Sequence, residues 1–287
     1  ACALGTYQPD TAQVSCDDAD AGYYVPTTAQ TSQTPCAAGT WQANTGRTFC
    51  MAADFGYYVS TIASTSPTAC ALGTYQPMFG QTSCEDADAG YYVDSTASAS
   101  QTACAAGTYQ PDTAQTSCDD ADAGYYVGST AQASQTACAA GTYQSDTAQT
   151  SCDDADAGYY VWDTAQTAQA YCDVGSYQPS TGQSSCLDPD AGYYVDTTAS
   201  TSQTACSSGT YQPHADTGAT SCDDADAGYY VDTTASASQT ACSAGTYQPD
   251  TAQSSCDDAD AGYYVDTTAS ASQTACAAGT YQPDTAQ

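Results

Sequence analysis

Seventeen cysteines, 33 acidic side chains and 25 tyrosines carry whatever chemistry this 287-residue chain can do. The stretch Cys118-Asp119-Asp120-Ala121-Asp122-Ala123-Gly124-Tyr125-Tyr126, which recurs with small changes, brings the three types together. Its acids follow the alternating-aspartate start of calcium loops, where hard oxygen ligands surround Ca2+. Asp119, Asp120 and Asp122, with the equivalent Asp223, Asp224 and Asp226, are therefore candidate metal ligands, and Ca2+ is the candidate cofactor. A full loop of that kind ends in a bidentate glutamate, and Glu85 is the only glutamate in the chain. The stretch "CLDPD" at 186–190 drops one acid, and "CMAADFG" at 50–56 keeps only Asp54. The competing reading makes the same acids a solvated coat.

The remaining candidates are few. Thr197, Thr198, Ser200, Thr267, Thr268 and Ser270 lie in short Ser/Thr runs that read as O-glycan acceptors. Asn44, the only asparagine, is followed by Thr-Gly and is no N-glycan acceptor. His214 is the only histidine and sits in an insertion that no other repeat has. No Ser/His/Asp or Cys/His set recurs, so the chain reads as non-enzymatic, with no catalytic residues. Cysteine gaps of 14 and 20 lack the close pairs of zinc sites.

The cysteines stand at 2, 16, 36, 50, 70, 84, 104, 118, 138, 152, 172, 186, 206, 222, 242, 256 and 276. Their gaps alternate 14 and 20, a period of 34, except for a gap of 16 from Cys206 to Cys222. The units are about 2–35, 36–69, 70–103, 104–137, 138–171, 172–205, 206–241 and 242–275, with a partial one at 276–287. Each unit halves again. Setting 104–120 over 121–137 superimposes Gly107 on Gly124, Tyr109 on Tyr126 and Thr113-Ala114-Gln115 on Thr130-Ala131-Gln132. The module is thus 17 residues, and every second module replaces both cysteines, Cys104 by Ala121 and Cys118 by Gln135. Cysteines lost together suggest cysteines bonded together. The expected pairs are Cys2–Cys16, Cys36–Cys50, Cys70–Cys84, Cys104–Cys118, Cys138–Cys152, Cys172–Cys186, Cys206–Cys222 and Cys242–Cys256. The rival register pairs Cys16 with Cys36 and orphans Cys2, and cysteine count does not decide between them. Closing a loop of this size stabilises by roughly 3 kcal/mol.

Such staples are needed. The chain has three Leu, one Ile, ten Val and three Phe, far below the usual content of a packed core. Cysteine density in a core-poor chain implies an oxidising, extracellular or cell-surface location. A net charge of −32 excludes nucleic acid and anionic lipid as partners. No apolar run is long enough to span a membrane. The sequence has no initiator Met and stops mid-repeat, so the expectation is a fragment of a longer chain, with Cys276 bonded beyond Gln287.

Cys104, Gly107, Tyr109 and Cys118 spell Cys-x-x-Gly-x-Tyr-x8-Cys. This resembles the ephrin-receptor-like cysteine-rich repeat, a tandem module of extracellular surface proteins, and the resemblance runs along the whole chain. That family usually carries a further cysteine where this chain has Ala121, Ala155 or Pro189.

The elements that must position these groups are short. Thr-Tyr-Gln and Tyr-Tyr-Val are β-prone, Pro111 ends the first, and Thr-Ala-Gln reads as a turn. Gly107 and Gly124 stand where positive φ or close approach is needed. The expected fold is small and disulfide-rich, mostly β-hairpin and loop, a linear rod of modules with no large core, each module touching only its neighbours. Tyr109, Tyr126 and Trp41 share one module position and are the expected stacking contacts between modules. The function read from this is the structural shaft of an extracellular filament, appendage or stalk, O-glycosylated, with self-association or end-to-end continuation of the same chain as its partner. The alternative is an adhesin or receptor-like ectodomain that binds a protein or glycan through the divergent segment with Trp41, Arg47, Phe49, Met51 and Phe55.

Overall fold

The computed structural model describes residues 1–213 and 218–286; the insertion around His214 lies outside them. All regular structure among the described residues is β. Fifteen two-stranded antiparallel sheets follow one another, one to a module. In the module that begins at Cys104, Thr108–Tyr109 pairs with Asp119–Asp120, setting Tyr109 opposite Asp119. In the next, Tyr125–Tyr126 pairs with Thr136–Ala137. One module has only a single bridge, Tyr177 to Leu187.

Contacts divide the chain into two units. The first is Ala1–Ala137 with Asp146–Ser151, and the second is Cys138–Ser145 with Cys152–Gln287. In the first unit each module hands three backbone hydrogen bonds to the next. Gly107 N–H donates to the Val127 carbonyl at 2.8 Å, Gln110 N–H to Gln132 at 3.0 Å, and Ala131 N–H returns to Cys104 at 2.9 Å. The preceding junction repeats them as Gly90 to Gln110, Val93 to Gln115 and Ala114 to Ala87. The second unit has the same set, for example Gly141 to Val161, Gln144 to Gln166 and Ala165 to Cys138. Strands of two residues are too short to stand alone, and these ladders supply the missing partners.

Two backbone features make the close approach possible. Gly107 has φ +89°, and a Cβ there would strike the Ala148 carbonyl. Ala148 lies two modules further on, so a module touches more than its immediate neighbours, contrary to expectation. A backbone-to-backbone approach that only glycine allows is the reason. The alanine of the Thr-Ala-Gln turn is the second feature. Ala114 has φ +58° and Ala148 φ +59°, and glycine replaces it at 46, 80, 182 and 218. A left-handed alanine costs roughly 1–2 kcal/mol, which the recurrent alanine N–H bond offsets.

Besides the turn glycine, burial falls on two positions in most modules. The first is the leading Cys or Ala, with Cys104 and Ala121 both 0% exposed. The second alternates Val127-type valines with Gln110-type glutamines. Gln110 is buried with both ends of its amide partnered. Its Nε2 donates to the Ser117 carbonyl at 2.9 Å, and its Oε1 accepts the Asp112 N–H at 3.1 Å. It therefore holds the long loop of the disulfide-bearing module in place.

Candidate functional site

The cysteine pairs close inside modules. Cys2–Cys16, Cys36–Cys50, Cys70–Cys84 and Cys104–Cys118 are bonded in the first unit. Cys138–Cys152, Cys172–Cys186, Cys206–Cys222 and Cys242–Cys256 are bonded in the second. The hairpin register explains the geometry, because Cys118 directly precedes the strand that pairs with Thr108–Tyr109. Cys276 is a free thiol here, half-buried.

The modules without cysteine have a second kind of staple. Gln135, which stands where Cys118 stands one module earlier, clasps Asp122. Its Oε1 accepts the Asp122 N–H at 2.7 Å, and its Nε2 donates to Asp122 Oδ2 at 2.6 Å. The same two bonds join Asp20 to Gln33, Asp88 to Gln101 and Asp156 to Gln169. They join Asp190 to Gln203, Asp226 to Gln239 and Asp260 to Gln273 as well. One module breaks the rule. Pro67 occupies the glutamine position, and Asp54 Oδ1 instead accepts the Phe55 N–H at 2.8 Å. The signal was present in the sequence: Asp and Gln enter together where the two cysteines leave, in every such module but the one with Pro67.

This disposes of the acids as one cluster. Asp119 and Asp120 are successive strand residues, and their side chains leave opposite faces. Asp122 is committed to Gln135. Asp223, Asp224 and Asp226 repeat the arrangement, with Asp226 held by Gln239. No group of three metal-binding side chains occurs among the described residues. Asp119, Asp120 and Asp122, and likewise Asp223, Asp224 and Asp226, therefore do not meet as one side-chain cluster.

The rings are half-buried at Tyr109, Tyr126 and Trp41. Backbone ladders join the modules, and the one close ring pair among the described residues is Phe55–Phe79, with centroids 4.0 Å apart. Tyr109 has its hydroxyl pKa raised from the ordinary value, first by burial and then by the charges of Asp122 and Asp119. Tyr211 is raised by burial, Asp226 and Asp223, and Tyr7 by burial, Asp20 and Asp17. Of the glycan candidates, Thr197, Thr198, Thr267 and Thr268 are exposed, while Ser200 and Ser270 are half-buried. Ser200 Oγ donates to the Thr197 carbonyl at 2.8 Å, and Ser270 does the same to Thr267 at 3.0 Å. No described helix is long and apolar enough to cross a membrane.

Fold and site together define a class: a tandem array of β-hairpin modules closed alternately by a disulfide and by an aspartate–glutamine clasp. Compared with known proteins, the chain matches no family model and no curated protein. The resemblance to the ephrin-receptor-like repeat therefore rests on the Cys104–Gly107–Tyr109–Cys118 spacing.

Proposed function

We propose that this chain is a structural extracellular protein, the shaft of a surface filament, appendage or stalk. The observation that carries the reading is the repeated junction. Within each unit the same three backbone bonds join successive modules, whatever staple each module holds. Modules so joined lengthen the molecule without a new folding problem, since stability is a sum of module and junction terms. The eight disulfides fit an oxidising compartment outside the cell. The exposed Thr197, Thr198, Thr267 and Thr268 are the threonines on which O-glycans would sit. End-to-end continuation of the same chain is the proposed partner. Electron microscopy of the native material tests this: long uniform fibres support a shaft, and isolated short particles overturn it.

An adhesin is the second reading, and one feature favours it. Phe49, Met51, Phe55 and Phe79 are exposed, and Phe55 touches Phe79, on an otherwise polar and acidic chain. Exposed apolar clusters mark protein contact sites. Replacing Phe55 and Phe79 by serine abolishes cell adhesion on this reading and leaves it unchanged if the chain is only a shaft.

A further inference from the structure

Three grooves of one design lie in the second unit. Each is walled by the tyrosine of a clasp-bearing module and floored by the disulfide-bearing module that follows. The first, of about 330 Å3, is lined by Tyr160, Asp173, Ser176, Ser185, Cys186 and Asp188. The second, of about 390 Å3, has Tyr194, Ser207, Thr210 and Ser221 at the same module positions. The third, of about 490 Å3, has Tyr230, Ser243, Thr246 and Ser255. Small-molecule sites run from roughly 300 to 1,000 Å3, so each groove is of binding size.

The sequence changes where the grooves are. The position filled by Asp173, Ser207 and Ser243 is alanine in the other disulfide-bearing modules, at 3, 37, 71, 105 and 139, and again at 277. Three successive disulfide-bearing modules thus place a polar side chain in a groove where the others have a methyl group. The surroundings are set in advance. Ser176, Thr210 and Thr246 each donate to the carbonyl of that polar residue, at 2.9 Å in all three; Thr210 Oγ1 also lies 3.5 Å from Ser207 Oγ, and each hydroxyl oxygen keeps a lone pair to accept with. The carbonyls of Ser185, Ser221 and Ser255 are pinned by the buried Gln178, Gln212 and Gln248. Their hydroxyls remain exposed.

We infer that this row of grooves binds a neutral polysaccharide. A half-buried tyrosine offers an apolar face for a sugar ring, with a polar tip beside it. Serine, threonine and aspartate supply donors and acceptors for ring hydroxyls, and a carboxylate such as Asp173 accepts two neighbouring hydroxyls at once. The charge of −32, with Asp173, Asp188 and Asp196 lining the grooves, repels sulfated and uronic-acid polymers. Each groove is shallow and weak alone, but a polymer threads several, and linked sites gain avidity without new contacts.

The test is affinity electrophoresis of the full chain in gels holding dextran, mannan, galactan, a mixed-linkage glucan or a sulfated galactan, against the Asp173→Ala, Ser207→Ala and Ser243→Ala triple variant. Alanine stands at this position in six modules, so the variant keeps its fold, which unchanged circular dichroism verifies. A neutral polymer retards the native chain, and the variant binds that polymer at least fivefold more weakly, the factor expected for one hydroxyl hydrogen bond. Equal retardation of both chains, no retardation by any neutral polymer, or stronger retardation by the sulfated galactan overturns the assignment.

Discussion

Replacing Gln135 by alanine removes a staple without touching a cysteine. Two bonds are lost: the Asp122 N–H to Oε1 at 2.7 Å, and the Nε2–H to Oδ2 at 2.6 Å. A neutral bond contributes about 1 kcal/mol net, and a bond to a charged group about 1.5–3 kcal/mol. Asp122 is exposed and Gln135 half-buried, so solvent competes for both groups, and the total comes to about 2 kcal/mol. An array of repeats need not unfold in one step, so the readout must be local. Amide hydrogen exchange supplies it at two places. The Asp122 N–H loses its acceptor directly, and the Tyr125 N–H, which donates to the Asp122 carbonyl at 3.0 Å, loses the clamp on its turn. Opening made easier by about 2 kcal/mol speeds exchange roughly thirtyfold. Amides near the Cys70–Cys84 staple, three modules away, should not change. The opposite substitution runs the experiment backwards: Pro67→Gln offers Asp54 the partner it lacks and slows exchange around Asp54. If neither variant alters exchange by more than twofold, the clasp is not a staple.

Other perturbations follow from the same geometry. Gly107→Ala destabilises by more than about 2 kcal/mol in thermal or denaturant melts, since it adds left-handed strain to a collision with the Ala148 carbonyl. Ala114→Gly, by contrast, stabilises by about 0.5 kcal/mol, because φ is +58° there and glycine already serves at 46 and 80. Converting one module into the other kind (Cys104→Ala, Ala105→Asp and Cys118→Gln together) leaves its amide protection unchanged when a thiol reductant is added, whereas the native module loses protection. Alkali acts on the tyrosines. Burial and neighbouring acids raise Tyr109, Tyr211 and Tyr7 above 10.0, so the unfolded chain ionises first. Their contribution is complete below about pH 10 and is lost as pH climbs through the raised folded values. Tyrosinate absorbance and melting temperature, followed together, should show that order.

Much of this fold is written in spacing. The alternation of 14 and 20 gives the module, and paired loss of cysteines favours closure within it. Gly107 and the β-prone Thr108-Tyr109 mark the hairpin. The clasp is harder to see, because Asp122 and Gln135 are 13 residues apart and each has an ordinary surface role alone. Read as one of three acids, Asp122 suggests a metal, and only the strand register shows that Asp119 and Asp120 face apart. The left-handed alanines run against alanine's own preference, so the turn shows only in the glycines that replace them at 46, 80 and 182. The reach from Gly107 to Ala148 spans 41 residues and leaves no local trace, since a tertiary ladder imposes it.

Closure of each hairpin on itself underlies every junction, clasp and groove described above, and peptide mapping without reduction tests it most directly. An aspartate-directed protease cuts at Asp112 and again at Asp119, so Cys104, Cys118 and Cys138 fall on separate peptides. Recovery of the Cys104 peptide linked to the Cys118 peptide is the predicted result. A Cys118 peptide linked to that of Cys138 would contradict the account.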